Sequence, residues 1–340
     1  MSITDLENTA KALVADGKGI LAADETPQTL TKRFEALKIN STPDSRRDYR
    51  EMLFTTPYVA EFISGVIMQD ETIHQKSSTG TSLANVVANQ GVIPGIKVDT
   101  GAKPLAGFPG ETVTEGLDGL RDSLVNYRQM GARFAKWRAV IRIGHGMPSW
   151  TCLHVNAHAL GRYAALCQEQ GLVPIVEPEV LMDGTHTIEC CEEVTGNVLH
   201  ATFNALVNQR VHLEGMLLKP NMVIAGKQCP QQASADEVAS ATLRCLLPHA
   251  PAAVPGIVFL SGGQDHVMAT QNLNAINHPD GPKPWKLSFS YGRALQDAAM
   301  AVWQGRDEKV KAGEQAFYHR ARCNGAAACG EYTDATEAGR

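Results

Sequence analysis

The sequence predicts an α/β protein whose strands close into one (β/α)8 TIM barrel over residues 1–340, with residues of about 325–340 as a flexible tail. Three observations lead there. Eight short, near-continuous apolar runs punctuate the chain, the form taken by parallel strands covered on both faces. Helical patterns with recognisable ends lie between them. Charged residues gather where the runs end, which is where a barrel opens its loop-lined mouth. A doubly wound open sheet yields the same alternation, and the clustered charge favours the barrel. A length of 340 residues fits, since such barrels pass ~250 residues as one unit.

The first run, Gly19–Asp24, ends on a carboxylate, and Thr42-Pro43 then opens a helix over Tyr49, Met52 and Leu53. Phe62–Gln69 is the second run. Ile93–Asp99, the third, carries Lys97 and Asp99 at its end, and Phe134–Val140, the fourth, carries Lys136 and Arg138. From Ser149 to Gly171 the apolar positions Trp150, Leu153, Ala157, Leu160, Ala164 and Cys167 recur every three or four residues, with Ser149 as N-cap and Gly171 as stop. Val173–Val180 follows with Glu177 and Glu179. The sixth run, Leu213–Val223, holds Lys219 late in its length. Ser234 and Glu237 make a capping box for a helix over Val238, Ala241, Cys245 and Leu246, with Pro248 marking its end. Gly256–Gly262 closes on Ser261, and Leu287–Tyr291 is followed by Gly292 and Arg293.

Composition narrows the function. Hydrophobic residues make up 44% and charged residues 20%, with a net charge of −5, so no polycationic face invites nucleic acid or an anionic membrane. The N-terminal segment carries acids and lacks the apolar core of a signal peptide, and no apolar stretch reaches spanning length. Eight cysteines without a CxxC pair read as reduced thiols of a cytoplasmic protein.

Chemistry concentrates at the strand ends. Lys219 follows an apolar stretch and precedes Pro220, so an interior-facing amine there is a candidate nucleophile toward a carbonyl; the alternative is an apolar stem with an exposed head. Lys136 offers a neighbouring positive charge. Glu177 and Glu179, two apart on a strand, point to one face, where one is expected to hold a proton and act as general acid or base; the alternatives are a divalent-metal pair or partners for an arginine. Ser261-Gly262-Gly263 and the Tyr291-Gly292-Arg293 turn have the make-up of a phosphate site after the seventh and eighth strands. Lys97, Arg33 and Arg46 suggest a second anion site. His154 and His158 share a helix face, but HVNAH lacks the acid of HExxH, so no metal is expected. No GxGxxG or Walker loop indicates a dinucleotide or ATP.

From Gly17-Lys18-Gly19 to about Tyr332 these motifs resemble the class I fructose-1,6-bisphosphate aldolases of glycolysis, most specifically in Ile175–Glu179, Leu213–Met222, Phe259–Gln264 and Ser288–Ala294. The resemblance implies a metal-free enzyme without cofactors, usually tetrameric, that cleaves a sugar bisphosphate through an imine on Lys219. It implies Glu177 as the acid/base of imine formation, Glu179 and Lys136 as its charged neighbours, and Asp24 near the C4 hydroxyl. Asp24 and Glu177 both stay candidates for removing that proton. Ser261, Gly262, Gly292 and Arg293, with Ser290 in the same motif, correspond to the C1-phosphate site. Lys97, Arg138, Arg33 and Arg46 correspond to basic residues at the other end. Thr26-Pro27-Gln28-Thr29 departs from the serine-glycine-rich segment of animal members, leaving Thr29 as the hydroxyl there. The sequence closes on Arg340 without the terminal tyrosine of many relatives, so water held by Glu177 or Lys136 is expected to protonate the enamine. A related Schiff-base ketose-phosphate aldolase and a non-catalytic scaffold are the competing readings.

Overall fold

The computed structural model describes residues 2–278, 281 and 283–339. Its strands are β1 (Gly19–Ala23), β2 (Ile63–Met68), β3 (Ile93–Lys97), β4 (Gly101–Pro104), β5 (Thr112–Glu115), β6 (Phe134–Ile141), β7 (Val173–Val180), β8 (Leu217–Leu218), β9 (Gly256–Phe259) and β10 (Lys286–Tyr291). Its helices are α1 (Ile3–Leu13), α2 (Pro27–Ala36), α3 (Pro43–Thr55), α4 (Asp70–His74), α5 (Leu83–Asn89), α6 (Leu120–Gln129), α7 (Trp150–Glu169), α8 (Ile188–Asn208), α9 (Ala235–His249), α10 (His266–Asn277), α11 (Arg293–Trp303), α12 (Val310–Ala328) and α13 (Asp334–Glu337).

Eight strands close into a parallel barrel in the order β1-β10-β9-β8-β7-β6-β3-β2. Closure rests on β1 against β10, with Ile20 opposite Ser290 and Leu21 opposite Tyr291, and this seam excludes the open doubly wound sheet. Side chains alternate along each strand, so one set faces the barrel interior and the other the helices. Toward the bottom, α1 sends Leu6, Ala10 and Leu13 onto the interior residues Ile20, Ile67, Phe134, Val173, Ile175, Leu217 and Val258. The Phe134 ring fills space that only glycine leaves open, since a Cβ on Gly95 would stand 2.3 Å from it. The bottom is therefore packed, and only the upper end is free to hold a ligand.

Three sequence expectations change. The sixth strand shrinks from Leu213–Val223 to Leu217–Leu218, because Leu213–Gly215 forms a 3-10 turn and Pro220 lacks the N–H needed to continue the ladder. Single bonds still hold the segment in line: Lys219 N–H donates to Val176 O at 2.8 Å, and Pro220 O accepts from Leu260 N–H at 3.0 Å. Pro248 lies one residue inside α9 instead of after it. The segment expected as a tail is docked: α12 runs to Ala328, and Tyr332 Oη and Arg320 both hold Glu337 of α13. The hairpin β4–β5 was not marked by any apolar run, being short and mostly outside the core.

The remaining helix starts follow their caps. Ser149 Oγ accepts from Cys152 N–H on α7, Ser234 and Glu237 form the capping box of α9, and Thr42 caps α3.

Candidate active site

At the C-terminal mouth of the barrel lies a cavity of about 350 Å³. Asp24 and Glu25 enter it just after β1, Lys97 and Asp99 at and after β3, Lys136 and Arg138 from β6, and Glu177 and Glu179 from β7. Lys219 comes after β8, Ser261, Gly262 and Gly263 after β9, Ser290 from β10, and Gly292 and Arg293 from the turn into α11. One strand register explains the central group. Side chains two residues apart share a face, so Lys136 and Arg138, Glu177 and Glu179 all project inward, with Arg138 opposite Glu177 and Val140 opposite Glu179.

Charge is threaded through this floor in alternating order. Lys136 Nζ lies 2.7 Å from Asp24 Oδ2, 3.2 Å from Glu177 Oε2 and 4.0 Å from Asp99 Oδ2, and Lys219 Nζ lies 3.2 Å from Glu177 Oε1. Glu177 thus bridges two lysines; its contact with Lys136 is ionic and falls short of hydrogen-bond geometry. Lys136, Glu177 and Lys219 are all buried. Desolvation pushes the Asp24 carboxyl up, but Lys136 and then Lys219 outweigh it and hold Asp24 well below the usual carboxylate range. Glu177 is also lowered: burial opposes, and Lys136, Lys219 and Arg138 prevail. Lys136, despite burial, is raised by Asp24, Glu177 and Asp99, so it stays an ammonium. The expected sharing of one proton between Glu177 and Glu179 gives way to separate cations, because Glu179 is taken by Arg138 Nε.

Two groups of basic side chains and exposed backbone N–H flank this floor. On one side Lys97 pairs with Asp99 at 2.9 Å, Arg33 with Glu25 and Asp297, and Arg138 with Glu179, so each of these cations already has a carboxylate partner. Thr29 lines the same cavity from the first turn of α2, where Thr26 Oγ1 caps Thr29 N–H at 3.2 Å. On the other side Gly262 and Gly263 adopt φ of +60° and +82°, a conformation that favours glycine. Gly292 precedes α11, and among the described residues no side chain caps the first N–H groups of that helix. Ser290 Oγ is buried there without a hydrogen-bond partner among the described residues.

Arg46 is not brought to this cavity. It lies on α3 with its Nε 2.9 Å from Glu71, a structural ion pair. Asp99 and Glu25 line the cavity although sequence reasoning assigned them no role there, and Lys227 lies beside its Gly263. A Cβ on Gly263 would stand 2.9 Å from Lys227 Nζ and 3.0 Å from Arg293 Nη2, so two cations converge over that glycine. Asp183, 3.6 Å from Lys227, is the carboxylate nearest to hand. Arg293 has no ion pair among the described residues. The helix pair His154 and His158 is exposed, and no third ligand joins it among the described residues.

The family profile described as fructose-bisphosphate aldolase class-I matches residues 5–340. The chain belongs to the class-I fructose-bisphosphate aldolase family. It is 56% identical over 333 residues to a probable fructose-bisphosphate aldolase class 1 of Xanthomonas campestris, covering 98% of this chain and 99% of that protein. It is 52% identical over 316 residues to a cytosolic fructose-bisphosphate aldolase of Arabidopsis thaliana, covering 93% and 80%. A solved structure of the fructose-bisphosphate aldolase of Plasmodium falciparum, in complex with TRAP and a small-molecule inhibitor, superposes with a TM-score of 0.96 at 47% identity, covering 97% and 95%. Class-I aldolases are carbon–carbon lyases that use a lysine Schiff base and no metal, and this chain is an enzyme of that kind.

Proposed function

We propose that this aldolase cleaves fructose-1,6-bisphosphate reversibly to dihydroxyacetone phosphate and glyceraldehyde-3-phosphate through an imine on Lys219. The observation that carries the assignment is Glu177, set between Lys219 and Lys136 at 3.2 Å from each. Loss of a proton from Lys219 Nζ has an acceptor in Glu177 Oε1, which can return that proton to the carbinolamine oxygen as water leaves. The protonated imine then accepts the electron pair of the breaking C3–C4 bond, and an enamine remains after the aldehyde departs.

Proton removal from the C4 hydroxyl falls to Asp24. It is held ionised by Lys136 and touches no imine-forming atom, whereas Glu177 contacts Lys219 directly. Ser261, Gly262, Ser290, Gly292 and Arg293 hold the C1 phosphate, and Lys97, Arg138, Arg33 and Thr29 hold the other. Clamping both ends converts remote binding energy into orientation of the scissile bond.

Eight free cysteines and the cytosolic Arabidopsis relative support a cytoplasmic setting, and family resemblance supports a homotetramer. No described helix is long and apolar enough to cross a membrane. Borohydride reduction with dihydroxyacetone phosphate, followed by peptide mapping, tests the mechanism: the label is expected on Lys219, and Lys219→Met is expected to stay folded without turnover. A label on Lys136 or Lys97, or a Lys219→Met enzyme with near-normal turnover, overturns it. Comparing fructose-1,6-bisphosphate with fructose-1-phosphate separates this activity from that of a related ketose-phosphate aldolase.

A further inference from the structure

We propose that His319, Cys323 and Glu337 form a zinc site that staples the turn at 333–337 onto α12, outside the active-site cavity. His319 and Cys323 lie four residues apart on α12, hence on one helix face, with Nε2 and Sγ 3.7 Å apart. Zinc bound to nitrogen at ~2.0–2.1 Å and to sulfur at ~2.3 Å in tetrahedral geometry spaces those two donors by about 3.6 Å. The pair already stands at that separation. Glu337 of α13 supplies the third donor, and all three ligand atoms fall within 4.8 Å of one another, the only such group among the described residues.

The carboxylate is steered from outside, as ligating carboxylates are. Arg320 Nη1 donates to one Glu337 oxygen, and Tyr332 Oη donates to the other at 2.7 Å. Arg320 is itself buried and fixed by Thr270 Oγ1 at 2.7 Å. An Arg–Glu pair alone requires neither the imidazole nor the thiol beside it. Thr336 O, 3.7 Å from Cys323 Sγ, or a water completes four donors. A mixed nitrogen, sulfur and oxygen set selects zinc over magnesium or calcium, which take oxygen throughout. Binding forms one bond from the metal to each donor and releases the Cys323 thiol proton to solvent. None of these residues lines the catalytic cavity, so the metal has a structural role and takes no part in cleavage.

Cobalt(II) titrated into the chelator-stripped full chain, with a non-thiol reductant, reads the site through its thiolate-to-metal charge-transfer band. The expected result is a band that saturates at one equivalent, is displaced by zinc, and is lost in Cys323→Ser and strongly weakened in His319→Ala. Cys329→Ser, which removes the exposed thiol, is expected to keep it. Tyr332→Phe is expected to weaken binding about tenfold without abolishing the band. No band at saturating cobalt, or a band undiminished without Cys323 and His319, overturns the proposal. Should Cys323→Ser fail to fold, Glu337→Gln on its partly exposed turn serves instead: affinity is expected to fall at least tenfold, and unchanged affinity overturns the site.

Discussion

Replacing Lys136 by methionine removes the cation on which the floor of the cavity depends. At an effective dielectric of ~20, its contacts of 2.7 Å with Asp24 and 3.2 Å with Glu177 amount to about 6 and 5 kcal/mol of gross attraction. The desolvation of the ammonium itself, several kcal/mol, is no longer incurred in the variant, so the net destabilisation at neutral pH is about 3–5 kcal/mol. Asp24 and Glu177 are carboxyls held low in the native protein. Their stabilising contribution is complete above their unfolded values near ~4 and is lost as pH falls through the lower native values. Without Lys136 the largest influence lowering each carboxyl is gone and both native values rise, so the variant loses less stability than wild type as these groups take up protons. The stability gap to wild type is therefore full at pH ~7.5 and narrows toward pH ~5. Urea unfolding at fixed protein concentration measures it. Cleavage turnover is expected to drop about 10²–10⁴-fold in the same variant, as both carboxylates proposed to move protons lose their counter-ion. A loss under ~1 kcal/mol at neutral pH, or a gap that widens on acidification, refutes the reasoning.

Full cleavage activity is expected in EDTA, because the imine supplies the electron sink; loss of activity restored by zinc contradicts this. Arg293→Ala is expected to raise KM for the bisphosphate about 10–150-fold, equivalent to ~1.5–3 kcal/mol, the range for a hydrogen bond to a charged group, and Lys227→Met to raise it by a smaller factor. Steady-state kinetics with unchanged KM removes either residue from the phosphate site. Arg46→Ala is expected to lower stability by about 1–3 kcal/mol, through the stranded Glu71, while KM stays at the wild-type value. A large rise in KM returns Arg46 to the site.

What the sequence disclosed follows from the strand period. In a parallel barrel every second residue near a strand end must face the mouth, so Lys136, Arg138, Glu177 and Glu179 were readable as one group before their distances were known. Lys219 was readable because an apolar run precedes it, although the same run overstated β8, where Pro220 ends the ladder. Helix-borne cations gave no such guide. Arg33 lies in the last turn of α2 and Arg46 near the start of α3, yet one lines the cavity and the other turns to Glu71, a choice made by loop paths that carry no periodic signal. Lys227 was hidden for a related reason: it follows an irregular stretch and meets Gly263 and Arg293 only in three dimensions.

The seam that closes the barrel also sets an order of events during synthesis. Ser288 Oγ of β10 bonds Lys18 O beside β1, a contact spanning 270 residues. At ~5–20 residues per second a ribosome takes roughly 15–50 s to make that interval, during which β1 has β2 beside it and an open edge on its other side. Such an edge is a template for pairing with a second nascent chain. Lys18 and Asp16 stand at the lower rim of this open edge, where their charges oppose that mispairing until β10 emerges and its Lys286 pairs with Asp16 at 2.6 Å. Chaperone demand for this chain is thus expected to fall on the interval before residue 291 leaves the exit tunnel.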